Sequence, residues 1–151
     1  MRIAFLPLDE RPCNSKYIQM MAEDTDKLTL VSSPLSILGK QKEPGDRQAI
    51  ARFIKEQAQI SDAMVLSLDT LFYGGLIPSR THHLTRKDLT ESFALLREVK
   101  AKHPQVALYA SITLMRSPTY NSTVEEPDYY AQYGSALHRR AYLSDKKTRE
   151  Q

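Results

Sequence analysis

The chain has 151 residues, 41% of them hydrophobic and 26% charged, which suffices for one globular domain that buries its own core without disulfides or a metal. Cys13 is the only cysteine, so an internal disulfide framework and a multi-cysteine zinc site are excluded, and no apolar run reaches the ~18–20 residues of a membrane span. The formal net charge of +3 lies entirely in residues 138–151, and a neutral body with a short basic end is unlike a nucleic-acid-binding face.

Four short apolar runs predict strands: residues 3–8, 28–31, 63–68 and 106–112. Strands exposed on one face would alternate polar and apolar residues, whereas these runs are nearly continuous and are separated by stretches with helical period. The pattern therefore predicts an α/β fold, a mostly parallel sheet of about four strands with helices on both faces, in a single domain over residues 1–151. The first half of a βα barrel would show the same pattern, but we favour the open sheet.

Two helices are predicted between the first three strands. The first covers about residues 15–23, and one of its faces is apolar: Tyr17, Ile18 and Met21. The second follows a long connection and begins after Asp46, whose side chain is suited to cap it. Its apolar positions have the spacing of one buried stripe: Ile50, Phe53, Ile54 and Ala58.

The third strand leads into a predicted loop over residues 69–83, and two further helices are expected. The first opens at Thr85, where Asp88 takes the place of glutamate in a capping box, and it ends before Pro104. Its predicted apolar face consists of Leu89, Phe93, Leu96 and Val99. The last helix is expected over residues 127–145, with Gly134 as a point where it can break, because glycine costs roughly 1 kcal/mol relative to alanine.

Polar side chains are concentrated directly after three of the predicted strands. In parallel α/β folds the carboxyl ends of the strands carry the binding loops, so we expect these clusters on one rim of the sheet. The first cluster follows strand one: Asp9, Glu10, Arg11, Cys13 and Asn14. The second follows strand three: Asp69, Tyr73, Gly74, Gly75, Ser79, Arg80, His82 and His83. The third follows strand four: Arg116, Tyr120, Asn121 and Ser122.

These clusters predict a site for a small polar molecule. Asp9, with Glu10 beside it, and Asp69 are the candidate catalytic carboxylates, since two carboxyl groups with separated pKa values can act as general acid and base. The candidate substrate-binding residues are Arg11, Asn14, Tyr73, Arg80, Arg116, Tyr120 and Asn121. Arginine offers fork-shaped donors to a carboxylate, a phosphate or vicinal hydroxyls. Each residue also has a structural interpretation, in which the aspartates bind helix or loop amides and Arg11 pairs with one of them.

Other motifs in these loops are less specific. The Gly74-Gly75 pair allows a sharp turn or a close ligand approach, but it is neither a dinucleotide-binding GxGxxG motif nor a P-loop. Cys13 with His82 or His83 would supply a histidine-activated thiolate. The two histidines with a candidate aspartate would supply a divalent-metal site, yet adjacent histidines seldom bind one ion. We therefore expect no metal and no cofactor.

Three stretches together resemble one known family. They are residues 7–14 (PLDERPCN), residues 68–80 (LDTLFYGGLIPSR) and residues 116–130, which contain RSPTYN and EEPDYY. In this order they resemble the bacterial proteins grouped as the domain of unknown function 4127 family, over essentially the whole chain. The resemblance implies no established activity, substrate or cofactor, but its motif residues coincide with the three clusters. Members of the family are several times longer, which implies that this chain is an amino-terminal portion of a longer architecture.

Three functions stay open. Paired carboxylates hydrolyse glycosides without a cofactor, so the first is an enzyme-type site for a small polyhydroxylated or anionic metabolite, with that reaction to be tested first. The second is a non-catalytic ligand-binding or interaction module on the same rim. The third is a metal-dependent hydrolase that uses His82 or His83. We expect the protein in the cytoplasm, because its start becomes charged too soon for a signal peptide, with no nucleic-acid or membrane partner.

Overall fold

A four-stranded, all-parallel sheet forms the centre of the protein in a computed structural model that describes residues 1–150. The strands are β1 (Arg2–Leu6), β2 (Thr29–Ser32), β3 (Ala63–Ser67) and β4 (Ala107–Ser111). They lie in the order β2-β1-β3-β4, and every neighbouring pair is parallel. The predicted α/β class is therefore confirmed. The half-barrel alternative is excluded, because consecutive strands of a βα barrel would be neighbours.

Helices cover both faces of the sheet. The α-helices within residues 1–113 are α1 (Lys16–Glu23), α2 (Arg47–Ala58), α3 (Leu68–Tyr73), α4 (Pro78–Thr81) and α5 (Arg86–Lys102), and α6 (Tyr130–Arg149) comes later in the chain. Connections between parallel strands are right-handed. The step from β1 to β2 runs one way along the sheet, whereas the steps from β2 to β3 and from β3 to β4 run the other way. Hence α1 lies on one face, and α2 and α5 lie on the opposite face.

The main core lies between the sheet and the layer formed by α2 and α5. On this face Ala4 of β1 is aligned with Met64 of β3, and Leu6 is aligned with Leu66. All four side chains are inaccessible to solvent. The predicted stripe of α2 packs against them: Ile50, Phe53, Ile54 and Ala58. Each large side chain buried in this way contributes about 1.5–3 kcal/mol to stability.

Two predicted apolar faces are partly wrong. On α1, Tyr17 and Met21 are 55% and 72% exposed, because α1 packs along β2 through the stripe that contains the buried Ala22. On α5, Phe93 is 51% exposed, and Leu95 is buried in its place. The Phe93 ring lies against Phe72 of α3 at the margin of the core, with ring centroids 4.6 Å apart. Val99 is buried as predicted, and Leu89 and Leu96 pack partly buried against the core, so only Phe93 of the predicted face is misplaced.

Both predicted helix caps are present. The Asp46 carboxylate accepts hydrogen bonds from the amides of Gln48 at 3.0 Å and Ala49 at 2.9 Å, at the start of α2. The Asp88 carboxylate accepts from the amide and the hydroxyl of Thr85, both at 2.7 Å, at the start of α5. These bonds lower the pKa of Asp88 below its ordinary value.

The predicted loop over residues 69–83 instead contains the short helices α3 and α4. The Ser67 hydroxyl accepts a hydrogen bond from the Thr70 amide at 3.4 Å and so caps α3. Gly74 ends α3 with a φ of 87°, in the left-handed region that favours glycine. A Cβ at this position would lie 2.6 Å from the amide nitrogen of Gly45, so a larger residue does not fit. Helices of four to six residues show too little periodicity to be predicted from a pattern.

The chain divides into two compact units, of which the first comprises Met1–Thr113 and the second begins at Leu114. Within the second unit, α6 begins at Tyr130 and continues unbroken through Gly134. A Cβ on Gly134 would lie 2.6 Å from the carbonyl oxygen of Tyr120, so a close backbone approach accounts for this glycine. Among residues 1–150 no helix has the length and apolar character to cross a membrane.

Candidate functional site

The two central strands, β1 and β3, end at a topological switch point. The connection that follows β1 leads to β2 on one side, and the connection that follows β3 leads to β4 on the other side. In open α/β sheets the two connections diverge at such a point, and the crevice outside the carboxyl ends of the strands binds ligands. Asp9 comes shortly after β1, and Asp69 comes shortly after β3. Both candidate aspartates therefore follow the strands that border this crevice, although neither is among the residues that line the cavity at this end of the sheet.

Asp9 is held by hydrogen bonds within its own loop. Its Oδ2 accepts from Nε of Arg11 at 2.9 Å and lies 2.7 Å from Nη2, while its Oδ1 accepts from the Arg11 amide at 3.1 Å and from Nδ2 of Asn14 at 2.7 Å. Burial raises the pKa of Asp9, but the hydrogen bonds from Arg11 and Asn14 outweigh burial and hold it below its ordinary value. Asp9 is thus ionised at neutral pH, as a base or an orienting carboxylate must be.

The Arg11 side chain is bound to Asp9. The hydrogen bond to Asp9 raises the pKa of the Arg11 guanidinium. The guanidinium therefore pairs with the aspartate, in agreement with the structural interpretation of this residue.

Asp69 lies in the first turn of α3 and is only 2% exposed. Its Oδ2 accepts hydrogen bonds from the amide of Thr113 at 3.0 Å and from the Thr113 hydroxyl at 2.8 Å. Thr113 lies two residues after the end of β4, so the carboxylate connects the segments that follow two neighbouring strands. A buried carboxylate needs such donors, because leaving it unsatisfied would cost more than the bonds contribute.

Thr70 connects α3 to the loop that carries Asp9. Its hydroxyl oxygen lies 2.7 Å from the carbonyl oxygens of both Pro7 and Leu8, so its proton is shared between them. Thr70 is fully buried. The segments that carry the two candidate aspartates are therefore joined by one side chain.

A cavity of about 200 Å³ opens at the carboxyl ends of β1, β3 and β4, and we name it the switch cavity. Its lining residues are Phe5, Leu6, Leu8, Cys13, Asn14, Ile18, Val65, Ser67 and Ser111. The hydroxyls of Ser67 and Ser111 belong to aligned residues of neighbouring strands. The Asn14 amide nitrogen is bound to Asp9, so its carbonyl oxygen is the atom left to accept a hydrogen bond from a ligand. The cavity thus combines an apolar wall with neutral polar groups.

A second cavity, of about 380 Å³, lies between the start of α2 and the chain from Tyr73 to Leu84. Tyr73, His82 and His83 are among its lining residues, and none of them lines the switch cavity. Cys13 lines only the switch cavity. The structure therefore does not bring the thiol and the histidines together. Within residues 1–150, no group of three or more His, Cys, Asp or Glu side chains is arranged to hold a metal ion.

The other predicted site residues have local roles in the structure. Glu10 accepts a hydrogen bond from the amide of Gln41 at 3.0 Å, where Gln41 has a φ of 54° in a tight turn. Arg80 lies in the last turn of α4, and its amide donates to the carbonyl of Ile77 at 2.9 Å.

The third predicted cluster lies in the second unit. Arg116 donates to the Tyr120 hydroxyl at 2.8 Å and pairs with the buried Glu126 at 3.3 Å. The Asn121 side chain accepts from the amide of Ser135 at 2.9 Å, near the start of α6. These contacts order the segment before α6. That this cluster shares one rim with Asp9 and Asp69 stays a prediction.

Four residues of this region were not predicted from the sequence. Ser67 and Ser111 stand inside runs that were assigned to strands, and Thr70 and Thr113 lie next to them. The available signal was the change from apolar to hydroxyl side chains at the end of each run. Hydroxyl side chains are also common within strands and at helix caps, so this signal does not by itself indicate a binding site.

The comparisons with known proteins agree with these observations. No curated protein and no solved structure matches the chain. A family model described as "Protein of unknown function (DUF4127)" matches residues 3–151, which is nearly the whole chain. The motif stretches after β1, β3 and β4 all fall within this match. The chain therefore belongs to the DUF4127 family.

Proposed function

We propose that the switch cavity binds a small polyhydroxylated or anionic metabolite, with Asp9 as the ionised carboxylate of the site. The observation that supports this most is the hydrogen bond between Asp9 and Asn14, because it links a charged residue to a cavity at the switch point. Ligands of open α/β sheets bind at this position. The cavity is smaller than the ~300–1,000 Å³ typical of drug-sized ligands, which favours a compact metabolite.

The lining chemistry favours a ligand with hydroxyl groups. The Asn14 carbonyl oxygen and the hydroxyls of Ser67 and Ser111 are neutral donors and acceptors, each of which contributes roughly 0.5–1.5 kcal/mol when paired. Phe5 and Val65 offer an apolar wall for the carbon skeleton of the same ligand. A sugar or a sugar acid presents both kinds of surface.

The reaction proposed first is glycoside hydrolysis or a related hydrolysis. The ionised Asp9 would take the proton of the attacking water, and Asp69 is the candidate acid that protonates the leaving group. The second candidate is binding without turnover. It is favoured by the hydrogen bonds that both carboxylates already make to Arg11, Asn14 and Thr113, since such bonds hold an orienting carboxylate in place. We place either function in the bacterial cytoplasm.

Thermal unfolding of the full chain with monosaccharides, sugar acids and sugar phosphates tests the proposal. A ligand at a hundred times its Kd stabilises the native state by about 2.7 kcal/mol, which a melting curve detects. Asn14→Leu is expected to abolish the stabilisation. Gln59→Leu is the matched control and is expected to keep the stabilisation, because Gln59 is exposed at the C-terminal end of α2, away from the switch cavity.

The outcomes separate the two candidate functions. Stabilisation with product formation that is lost in Asp9→Asn supports hydrolysis, and stabilisation without product supports the binding module. If no compound stabilises the wild type, or if Asn14→Leu responds as the wild type does, the proposal is wrong.

A further inference from the structure

The second cavity is separate from the proposed function and has the size of a small-molecule site. Its volume of about 380 Å³ lies within the ~300–1,000 Å³ range of such sites. Its apolar lining includes Pro44, Pro78 and Leu84, of which Pro78 begins α4 and Leu84 donates its amide to the His82 ring. We name this cavity the aromatic-basic pocket.

Two stacked rings form one side of the pocket. The rings of Tyr73 and His82 lie with centroids 4.4 Å apart and planes inclined by 22°. Phe72 meets Tyr73 edge-on at 6.3 Å and 88°, so Tyr73 is supported from the core side. Aromatic side chains held in this way provide a flat surface that favours packing of another planar group, at about 0.5–1.5 kcal/mol beyond the buried area.

Two basic side chains also line the pocket. Lys42 and Arg47 contribute two positive charges. The Arg47 Nη2 donates to the carbonyl of Asp88 at 2.7 Å, which fixes its guanidinium. Asp46 also lines the pocket, but its carboxylate is bound to the first amides of α2. The two cations therefore outnumber the one carboxylate of the lining, and the positive charge comes from the side chains and not from the helix end, whose amides are occupied.

The His82 ring adds a hydrogen-bond donor whose tautomer is defined by the structure. Its Nδ1 accepts a hydrogen bond from the Leu84 amide at 3.1 Å, so the proton of the neutral ring is on Nε2. Burial and the neighbouring His83 lower the pKa of His82 below its ordinary value of 6.5. At neutral pH the ring is therefore uncharged, and it keeps one N–H for a ligand.

We propose that the aromatic-basic pocket binds a planar aromatic or heteroaromatic molecule that carries a carboxylate or a phosphate. The ring of the ligand packs on the Tyr73–His82 pair, and its anionic group faces Lys42 and Arg47. An uncharged ring offers no anionic group to Lys42 and Arg47, and a sugar phosphate leaves the aromatic wall uncovered. Both properties are therefore needed in one molecule.

The experiment measures binding of four probes to the full chain by calorimetry and by NMR of the histidine rings. Adenosine 5′-monophosphate and 4-hydroxybenzoate carry a ring and a charge, adenosine carries the ring alone, and ribose 5-phosphate carries the charge alone. At least one of the two aromatic anions is expected to bind about tenfold more tightly than adenosine or ribose 5-phosphate, since one stacking or charge contribution of about 1.4 kcal/mol is tenfold in Kd. Which one binds shows whether the anion is a phosphate or a carboxylate.

Three variants locate the binding. Lys42→Ala is expected to weaken it about two- to fivefold, as for one exposed ion pair, and His82→Ala about tenfold through loss of the stack. Lys16→Ala, an exposed lysine of α1 outside the pocket, is the control and leaves Kd unchanged. Circular dichroism checks that all three variants are folded.

Binding at this site also shifts the NMR signals of the His82 ring, because the ligand ring packs against it. The proposal is overturned if neither aromatic anion binds at millimolar concentration. It is equally overturned if adenosine or ribose 5-phosphate binds as tightly as both anions do, or if Lys42→Ala and His82→Ala bind as the wild type does. None of these results bears on the switch cavity, which shares no lining residue with this pocket.

Discussion

The carboxylate of Asp69, at the end of β3, is bound to both the amide and the hydroxyl of Thr113, at the end of β4, at 3.0 and 2.8 Å. The hydrogen bond from the backbone amide can form with any residue other than proline at position 113. The hydrogen bond from the hydroxyl requires threonine or serine there. The hydroxyl therefore allows the contribution of this contact to be measured.

Thr113→Val is expected to lower the free energy of unfolding by about 1–2 kcal/mol, because a nearly buried carboxylate loses one donor while the side-chain shape is kept. Thr113→Ser keeps the donor and is expected to stay close to the wild type. Thr90→Val is the control, since the Thr90 hydroxyl donates on the exposed face of α5, and it changes stability by less than about 0.5 kcal/mol. Urea unfolding measures all three, and equal midpoints for Thr113→Val and Thr90→Val would contradict the expectation.

The lowered pKa of Asp9 predicts a pH dependence of stability. A carboxyl group with a lowered native pKa stabilises the fold above its unfolded value, here 3.8, and this contribution is lost as pH falls toward the native pKa. Asp9→Asn removes the charge, so at neutral pH it is expected to be less stable by about 1 kcal/mol, a small value because Arg11 is exposed. The difference between wild type and variant should shrink as pH is lowered below 3.8. A difference that stays constant down to pH about 2 would show that the charge is not its source.

Gly74 and Gly75 are expected to respond differently to alanine. At Gly74 the φ of 87° and a contact of 2.6 Å to the Gly45 amide nitrogen both oppose a Cβ, so Gly74→Ala should cost about 2–5 kcal/mol from strain and overpacking together. At Gly75 the φ of 143° is unfavourable, but the nearest atom is 3.7 Å away, so Gly75→Ala should cost only about 1–3 kcal/mol. Thermal unfolding of both variants ranks them, and the reverse order would contradict the geometry of this turn.

Cys13 is exposed and lines the switch cavity, so a thiol reagent is expected to label it in the native protein. A metabolite that fills the cavity should slow the labelling, because it covers the sulfur. Labelling that occurs only in urea, or a rate that is indifferent to a ligand shown to stabilise the wild type, would place the ligand elsewhere. The Asn14→Leu variant serves as a control, since its labelling should not respond to the ligand.

The sheet was predictable because its two central strands, β1 and β3, lie in nearly continuous apolar runs. Ala4, Leu6, Met64 and Leu66 belong to apolar runs that only a covered parallel strand tolerates, and the caps at Asp46 and Asp88 follow local rules of hydrogen bonding. The strand order was not predictable, because the direction of a crossover is decided by packing between distant segments. Exposure of Phe93 has the same origin, since the helical period fixes which residues share a face but not which face meets the sheet.

The candidate site was predictable in part. The rule that loops after parallel strands carry the polar groups indicated Asp9, Asn14 and Asp69. It could not decide which of the two aspartates Arg11 is bound to or indicate that Thr113 is bound to Asp69, because these partners depend on side-chain directions. The aromatic-basic pocket was missed for a similar reason, since α3 and α4 turn the chain so that Tyr73 stacks on a histidine nine residues later.

The hydroxyl of Thr70 gives the two cavities a mechanical connection. It fixes α3 to the carbonyls of Pro7 and Leu8, and Leu8 lines the switch cavity while Tyr73, at the other end of α3, lines the aromatic-basic pocket. Loss of this one hydroxyl would therefore loosen α3 beside both cavities at once. One buried threonine thus anchors the linings of both cavities.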